Sequence, residues 1–365
     1  MIHAVEESLS ARLRTRLVAA IAAAGGWLPF DRFMAIALYE PGLGYYARGR
    51  RLFGTMPASG SDFVTAPELS PLFGLVLARQ VRQALDAAEA DEVVEFGAGS
   101  GALAAQLLAA LGDRVRRYSI VDLPGTLRAM QSERLAPWAG RVRWLEAWPE
   151  ELHGVVVGNE VLDAMPVQLL HWDGATWFER GVAAPGEVFA WADRATDLRP
   201  PVATPLPAGT VTEIHPQAEA WIRTLAERLR RGAAFLVDYG FPEAEYYHPQ
   251  RSGGTLMCHR AHRSDGDPLA DVGLKDITSH VNFSGIALAA QDAGLEVLGY
   301  TSQARFLINC GLTALIQAAA LQQRIAAQRL IHEHEMGELF KVVGLARGIS
   351  LDALGFGSGD RSHRL

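Results

Sequence analysis

The residues best suited to chemistry lie in one short segment, residues 93–101, which read VVEFGAGSG. The first four residues predict a short buried strand, and an Ala/Leu-rich helix is predicted over residues 102–111. Gly97, Gly99 and Gly101 allow the backbone to approach a ligand closely. The helix that follows would offer free N–H groups and a positive dipole end. The segment therefore predicts a binding turn for a nucleoside-containing ligand.

Two cofactors fit this turn. The spacing Gly97-x-Gly99-x-Gly101 is typical of the S-adenosylmethionine turn of class I methyltransferases, whereas Gly97-x-Gly99-x-x-Ala102 also fits the dinucleotide fingerprint. Glu95 favours S-adenosylmethionine, because a carboxylate suits its cationic amino group and would repel a pyrophosphate. The helix also opens without the packing pattern of dinucleotide-binding proteins. A purely structural glycine turn is the third alternative.

Two further carboxylates follow the next predicted strands. Asp122 ends the second strand, where a carboxylate can accept hydrogen bonds from both ribose hydroxyls of either cofactor. Glu146 follows the third strand, where an acid can meet an adenine amino group. Each is also compatible with an ordinary surface position. These residues support a nucleoside site without discriminating between the two cofactors.

The fourth predicted strand runs into residues 158–166, which read GNEVLDAMP. Ligands of open α/β sheets bind beyond the carboxyl ends of strands, so Asn159 and its neighbours are expected to face the methyl donor. Glu160 and Asp163 are three residues apart and would share a face if the segment is helical. Two carboxylates can orient a guanidinium and accept the proton that it loses on methylation. The alternative is that Asp163 caps a turn and Glu160 is solvated.

Seven predicted strands must position these residues. They alternate with helices, which predicts right-handed βαβ units and a parallel sheet with a final antiparallel strand. The predicted strands are residues 93–96, 118–122, 142–145, 154–158, 233–238, 295–300 and 339–346. Residues 166–214 interrupt this pattern with three predicted antiparallel strands and a hairpin turn at Asp173-Gly174. Residues 241–281 are predicted to be irregular.

Composition limits the function classes. The 365 residues are 49% hydrophobic and 21% charged, which is enough apolar sequence for a large core. The net charge of −7 argues against a sequence-independent nucleic-acid binder. No run reaches the roughly 18 apolar residues of a membrane helix. Two cysteines exclude a disulfide framework, and Cys258, His259 and His262 lack a second cluster, so no metal is predicted.

Many segments of the chain resemble the MidA-like methyltransferase family. They occur in order from about Leu28 to the C-terminus. The matching segments are 33–46 (FMAIALY-x-P-x-x-GYY), 62–74 (DF-x-TAPE-x-SP-x-FG), 95–101, 159–164 (NEVLDA), 238–242 (DYGFP), 246–249 (YYHP), 254–258 (GTLMC), 276–281 (DIT-x-HV), 301–303 (TSQ) and 336–341 (MGELFK). One departure is Asp122, where the family is expected to have glutamate, and that exchange keeps the carboxylate.

The resemblance implies a class I fold with a Rossmann-like seven-stranded sheet and S-adenosylmethionine as methyl donor. Mitochondrial relatives imply symmetric dimethylation of an arginine on a subunit of respiratory complex I during its assembly. The family segment 62–68, which contains Thr65, Pro67 and Glu68, is expected to fold over the cofactor, with the Tyr45-Tyr46 loop nearby. The chain has no convincing mitochondrial presequence, so a bacterial cytoplasmic member is expected.

We therefore expect an N-terminal helical or lid region over residues 1–90 and a methyltransferase domain over residues 91–365, with insertions at about 166–214 and 241–281. Glu160 and Asp163 are expected to hold a protein acceptor, and the resemblance points to a complex I subunit as that acceptor. The expected cofactor-binding residues are Thr65, Pro67, Glu68, Glu95, Gly97, Gly99, Gly101, Asp122, Glu146 and Asn159. The alternatives are a non-catalytic S-adenosylmethionine-binding assembly factor and a nicotinamide-dependent oxidoreductase. The oligomeric state stays open.

Overall fold

The computed structural model describes residues 2–47, 64–122, 127–186, 188–203 and 205–365. In chain order its strands are β1 (Leu28–Pro29), β2 (Glu92–Phe96), β3 (Arg117–Val121), β4 (Val142–Leu145), β5 (Leu152–Asn159), β6 (Gln168–Trp172), β7 (Trp177–Ala183), β8 (Ala190–Ala195), β9 (Val211–Ile214), β10 (Leu229–Phe241), β11 (Met257–Arg260), β12 (Arg263–Asp265), β13 (Asp276–Thr278), β14 (Val281–Asn282), β15 (Glu296–Ser302) and β16 (Phe340–Arg347). The α-helices are α1 (Ile2–Ala23), α2 (Phe30–Tyr39), α3 (Ala66–Leu69), α4 (Leu72–Ala88), α5 (Ala102–Leu111), α6 (Leu127–Arg134), α7 (Pro216–Arg228), α8 (Glu243–Tyr246), α9 (Phe283–Asp292), α10 (Gln303–Asn309), α11 (Leu312–Ala318) and α12 (Leu321–Ile331). Among these helices, none combines the length and the apolar character needed to cross a membrane.

The central sheet has the strand order β15-β16-β10-β5-β2-β3-β4, and the short β14 pairs with the end of β10. Neighbouring strands from β4 to β10 are parallel, and β16 runs antiparallel to both β10 and β15. The predicted parallel sheet with a final antiparallel strand is therefore confirmed. All seven predicted strands are present within a few residues of their expected bounds.

Both faces of the central sheet are buried, because helices pack against each of them. Successive side chains of a strand point to opposite faces, so they enter different clusters. In β5, Val155 and Val157 pack into a cluster with helices α4 and α5, whereas Val156 packs into a second cluster with α7 and α9. Helix α4 therefore contributes to the core of the central sheet although it precedes residue 91. The domain boundary at residue 90 stays a prediction.

The first insertion forms a second sheet, in which the three predicted antiparallel strands are present as β6, β7 and β8. Strand β7 pairs with β6 and β8, β6 pairs with β9, and Asp173 closes the β6–β7 turn by accepting N–H bonds from Ala175 and Thr176, both at 2.7 Å. Strand β1 of the N-terminal region also pairs with β7. A third hydrophobic cluster joins helices α1 and α2 to this sheet through residues such as Phe33 and Leu169. The N-terminal region and the insertion thus share one core, which the sequence did not predict.

The prediction that residues 241–281 are irregular is wrong in part. This segment contains α8 and a three-stranded sheet of order β12-β11-β13. The buried carboxylate of Glu213 holds the start of this sheet, because it accepts the N–H groups of Thr255 at 2.8 Å and Leu256 at 3.0 Å and the hydroxyl of Tyr246 at 2.8 Å. The sequence did not predict this sheet, because strands of three or four residues are too short for a periodic pattern. The carboxylate that holds the sheet is also about 40 residues away in the chain.

A close backbone approach between β5 and β10 leads to a stability prediction. Gly154 and Gly232 are paired in register, with φ angles of +152° and +145°. A Cβ at Gly232 would lie 1.8 Å from the carbonyl oxygen of Gly154. We expect Gly232→Ala to lower the free energy of unfolding by about 3 kcal/mol or more, measured by chemical denaturation. Gly140→Ala is the control, because a Cβ there meets no atom within 4 Å; equal stability of the two variants would contradict the close approach.

Candidate functional site

A cavity of about 1400 Å³ opens at the carboxyl ends of β2, β3, β5 and β10. Its walls include Glu95, Asp122, Asn159 and Tyr239, which end or follow these four strands. This is the edge at which open α/β sheets bind ligands. The volume exceeds the roughly 300–1000 Å³ of ordinary small-molecule pockets, so the cavity has room for a cofactor and a second ligand.

The glycine turn after β2 lies against this cavity. Gly97, Gly99 and Gly101 have φ angles of +64°, +53° and +79°, in the left-handed region that glycine adopts without strain. A Cβ at Gly97 would lie 3.2 Å from Cγ2 of Val161. Gly97 and Gly99 line the cavity, whereas Gly101 immediately precedes α5 and serves the turn itself. The backbone rather than a side chain therefore faces a ligand at this point.

The carboxylate of Glu95 is buried at the end of β2, with 2% of the residue exposed. It accepts a hydrogen bond of 2.6 Å from the hydroxyl of Tyr118. The pKa of Glu95 is raised to about 8, chiefly by burial and also by the charge of Asp122, while the hydrogen bond from Tyr118 lowers it. A buried carboxylate of this kind becomes charged when a cation binds beside it.

Gln131 connects the predicted cofactor residues, and sequence reasoning missed it. Its side-chain amide donates to the carbonyl of Gly99 and to the carboxylate of Asp122, both at 2.9 Å, and accepts from the indole of Trp144 at 2.8 Å. Gln131 is 1% exposed and lies four residues after the buried Leu127, on the same face of α6. That helical spacing was the available signal for a buried polar side chain.

The remaining predicted cofactor residues take two different positions. Thr65, Pro67 and Glu146 line the cavity. Glu68 does not line it; its carboxylate instead bonds to the hydroxyl of Ser100 and to the guanidinium of Arg134 at 2.7 Å. Glu68 thus contacts the glycine turn through Ser100, from outside the cavity lining. Residues 62 and 63 of the same family segment lie outside the described residues.

An aromatic cluster forms the wall near Glu146. The ring centroids of Phe96 and Trp148 are 4.3 Å apart, and Trp221 lies 5.0 Å from each of them. All three rings line the cavity. Flat apolar surfaces of this kind suit a planar base. Sequence reasoning missed this cluster, because Trp221 is 73 residues from Trp148 in the chain.

The segment after β5 is a turn and not a helix, so the condition for a shared helical face is not met, but the turn brings Glu160 and Asp163 to the cavity. The buried carboxylate of Asp238 holds this turn by accepting the N–H groups of Val161 at 3.1 Å, Leu162 at 2.9 Å and Asp163 at 3.2 Å. Glu160 has a φ angle of +56°, which is unusual for a residue with a side chain. The turn therefore fixes the direction of its carboxylate at a cost in backbone strain.

Burial raises the pKa of both carboxylates, and one oxygen of Asp163 lacks a hydrogen-bond partner among the described residues. The Oδ2 atom of Asp163 accepts 2.6 Å from the hydroxyl of Tyr239, while its Oδ1 atom is buried with no hydrogen-bond partner among the described residues. Burial raises the pKa of Asp163 to about 6. Burial and the charge of Asp163 raise the pKa of Glu160 to about 8. The amide of Asn159 donates to Glu160 at 2.8 Å.

The cavity lining is rich in carboxylic acids. Seven carboxylic acids line it, namely Asp31, Glu95, Asp122, Glu146, Glu160, Asp163 and Asp276. Among the described residues of the lining, Arg251 is the only arginine or lysine. His280 is neutral at physiological pH, because burial and the neighbouring Arg251 and Lys341 lower its pKa to about 4. Such a cavity suits positively charged ligands.

Fold and site together define a class I methyltransferase. The chain belongs to the family described as "Putative S-adenosyl-L-methionine-dependent methyltransferase", whose model matches residues 76–301. It is 51% identical to a protein from Burkholderia thailandensis whose crystal structure is bound to S-adenosyl-homocysteine; the superposition has a TM-score of 0.95 and covers 99% of this chain and 98% of that one. A second crystal structure from the same organism is 50% identical, with a TM-score of 0.91.

Curated relatives are more distant. The chain is 26% identical to protein arginine methyltransferase NDUFAF7, mitochondrial, of Danio rerio, over 91% of this chain and 83% of that protein. The human protein of the same name is also 26% identical, over 88% of this chain and 80% of that protein.

These findings confirm the predicted family, the class I fold and S-adenosylmethionine as the cofactor. The nicotinamide oxidoreductase alternative is therefore wrong. The residues fit the cofactor. The left-handed glycines have no side chain, and a Cβ at Gly97 would lie 3.2 Å from Val161. Glu95 and Asp122 offer carboxylates for the amino group and the ribose hydroxyls. We assign Glu95, Gly97, Gly99 and Asp122 to cofactor binding as a proposal, with Thr65, Pro67, Glu146 and Asn159 around them.

Cofactor binding should release a proton from Glu95. With a pKa of about 8, this group is mostly protonated at pH 7 in the free protein, and a positive amino group beside it lowers that pKa. We expect S-adenosylhomocysteine affinity to rise as the pH increases from about 6 to about 8. Calorimetric titration in two buffers of different ionisation enthalpy measures the proton. Glu95→Gln should abolish this release; the same release in the variant would contradict the assignment.

Proposed function

We propose that this enzyme methylates a guanidinium nitrogen of an arginine side chain in a protein substrate. The observation that carries the proposal is the buried Oδ1 atom of Asp163, which has no hydrogen-bond partner among the described residues and belongs to a side chain that lines the cavity. Glu160 lines the same part of the cavity. A guanidinium offers five N–H donors in a planar fork and satisfies such carboxylates better than any other protein side chain.

The relatives support the same acceptor. The proteins of Danio rerio and Homo sapiens that match most of this chain are both named protein arginine methyltransferases. Their 26% identity extends across the N-terminal region, the insertions and the central sheet, because the matches cover 91% and 88% of this chain.

The chain's own residues have two roles in the proposed reaction, to orient the guanidinium and to accept its proton. Glu160 and Asp163 orient the guanidinium, and the unusual φ of +56° at Glu160 aims one of the two carboxylates. The pKa of about 8 makes Glu160 a suitable acceptor for the proton that the nitrogen must lose, since a general base works best with a pKa near the operating pH. Bound S-adenosylmethionine supplies a methyl group already activated on a positively charged sulfur. The protein therefore accelerates the reaction chiefly by holding two reactants in position.

The family resemblance extends the proposal to the protein substrate. We propose a subunit of respiratory complex I as the acceptor, symmetric dimethylation of its arginine and a bacterial cytoplasmic location. Mass spectrometry of complex I from cells with and without this enzyme tests this part. Loss of one dimethylarginine in the deletion strain is the expected result, and an unchanged arginine methylation pattern would contradict it.

The central prediction concerns Glu160. Glu160→Gln keeps the size of the side chain but removes the negative charge that orients the acceptor and the base that takes its proton. We expect methyl transfer to fall at least a hundredfold, about 2.7 kcal/mol in the barrier. S-adenosylhomocysteine affinity should stay within threefold of the native value. The assay measures transfer of labelled methyl from S-adenosylmethionine to protein in an extract of the deletion strain.

Two outcomes separate the alternatives. Glu133→Gln is the matched control, since this exposed glutamate on α6 lies outside the cavity lining and should leave transfer unchanged. Full activity of Glu160→Gln would remove Glu160 from the site. Cofactor binding by the native enzyme without transfer to any protein in the extract would instead favour the non-catalytic assembly factor.

A further inference from the structure

The N-terminal region places a tyrosine on a buried carboxylate of the cavity. The hydroxyl of Tyr46 donates to Oδ2 of Asp276 at 2.8 Å. Asp276 is 3% exposed, begins β13 and lines the cavity, as does Tyr46. These residues are 230 positions apart in the chain. Neither belongs to the residues assigned above to the cofactor or to the acceptor.

A second tyrosine holds the same wall. Tyr39 ends α2, and its hydroxyl donates to the carbonyl oxygen of Ala164 at 2.6 Å, directly beside Asp163. The rings of Tyr39 and Tyr46 are stacked with centroids 5.7 Å apart and planes 14° apart. The turn after α2 sets this stacking, because the N–H of Tyr46 bonds back to the carbonyl of Leu38 at 2.9 Å. Both rings line the cavity.

Asp276 lies within electrostatic reach of the proposed acceptor carboxylates. Its charge adds to burial and to Asp163 in raising the pKa of Glu160. Burial, followed by the charges of Asp276 and then Asp163, raises the pKa of Tyr39. The unpartnered Oδ1 of Asp163 is in a residue that is 5% exposed. Three carboxylates and two tyrosine rings therefore surround the part of the cavity next to the turn after β5.

We propose that Asp276, positioned by Tyr46, is the third carboxylate of the acceptor site and that it makes this site selective for a guanidinium over an ammonium group. The inference rests on the proposed function and adds a residue and a specificity to it. A guanidinium is planar, carries five donors and packs on aromatic rings, so it can use separate carboxylates and the lining rings of Tyr39 and Tyr46 together. An ammonium is a compact point charge with three donors and loses more hydration when buried.

The experiment uses the full chain saturated with S-adenosylhomocysteine. N-acetyl-arginine amide and N-acetyl-lysine amide are the two probes, and ligand-observed NMR measures their affinities. We expect the native enzyme to prefer the arginine probe at least tenfold. Asp276→Asn should weaken arginine binding at least tenfold, or about 1.4 kcal/mol, and should reduce this preference, while S-adenosylhomocysteine affinity stays unchanged.

Two Tyr→Phe variants provide the matched comparison. Tyr46→Phe keeps the ring and removes the hydroxyl that holds Asp276, so arginine binding should weaken about threefold or more. Tyr300→Phe removes a buried hydroxyl that has no partner among the described residues and should change nothing. S-adenosylhomocysteine affinity reports whether a variant is folded. If Asp276→Asn loses that affinity, the test rests on Tyr46→Phe, and native-like arginine binding by Tyr46→Phe overturns the inference.

The remaining outcomes are distinguishable. Equal arginine binding by the native enzyme and a folded Asp276→Asn variant overturns the role of Asp276 and leaves the proposed function standing. Failure of the native enzyme to bind the arginine probe contradicts the proposed function itself, and the inference falls with it. A native enzyme that binds both probes equally overturns the specificity.

Discussion

The site depends on one buried carboxylate, that of Asp238 in β10. It is 1% exposed and accepts four backbone N–H groups: three from residues 161–163 of the turn after β5, and that of Tyr239 at 2.9 Å. Burial and the charges of Asp163 and Glu160 raise its pKa, and the N–H groups of Leu162 and Tyr239 oppose that rise. Burying a charge is costly unless it is fully hydrogen-bonded. The turn therefore satisfies Asp238, and Asp238 in return fixes the turn that carries Glu160 and Asp163.

The same arrangement explains why the N-terminal region belongs to the site. Strand β1 pairs with β7 of the insertion, and α1 and α2 share a hydrophobic cluster with that sheet. The chain that leaves α2 is thereby held with Tyr39 and Tyr46 against Ala164 and Asp276. Glu213 holds the start of the three-stranded sheet that carries Asp276. Separate parts of the chain, each with its own packing, thus meet around one set of carboxylates.

The sequence predicted what local patterns encode. Alternating strands and helices identified the central sheet, and the glycine spacing with Glu95 and Asp122 identified the edge at which the cavity opens. Contacts between distant residues left no such pattern. The Tyr46–Asp276 bond, the support of the second insertion by Glu213 and the pairing of β1 with β7 join segments that no periodicity relates. Gln131 is intermediate, because its helical spacing from Leu127 marks a buried face but does not reveal its bonds to Gly99 and Asp122.

The raised pKa values have a common consequence for a cavity that we propose binds the sulfonium cofactor and a guanidinium. Burial raises the pKa of Glu95 and Glu160 to about 8, so both are mostly protonated at neutral pH in the free protein, whereas Asp163, with a pKa of about 6, is mostly ionised. A cation that lies beside Glu95 or Glu160 lowers that pKa and favours the negative charge, and without a cation the two protonated acids reduce the repulsion within the carboxylate-rich cavity. A permanently charged cluster would destabilise the folded chain. A neutral cavity could neither orient a guanidinium nor accept its proton, so the partly protonated state serves both stability and the proposed reaction.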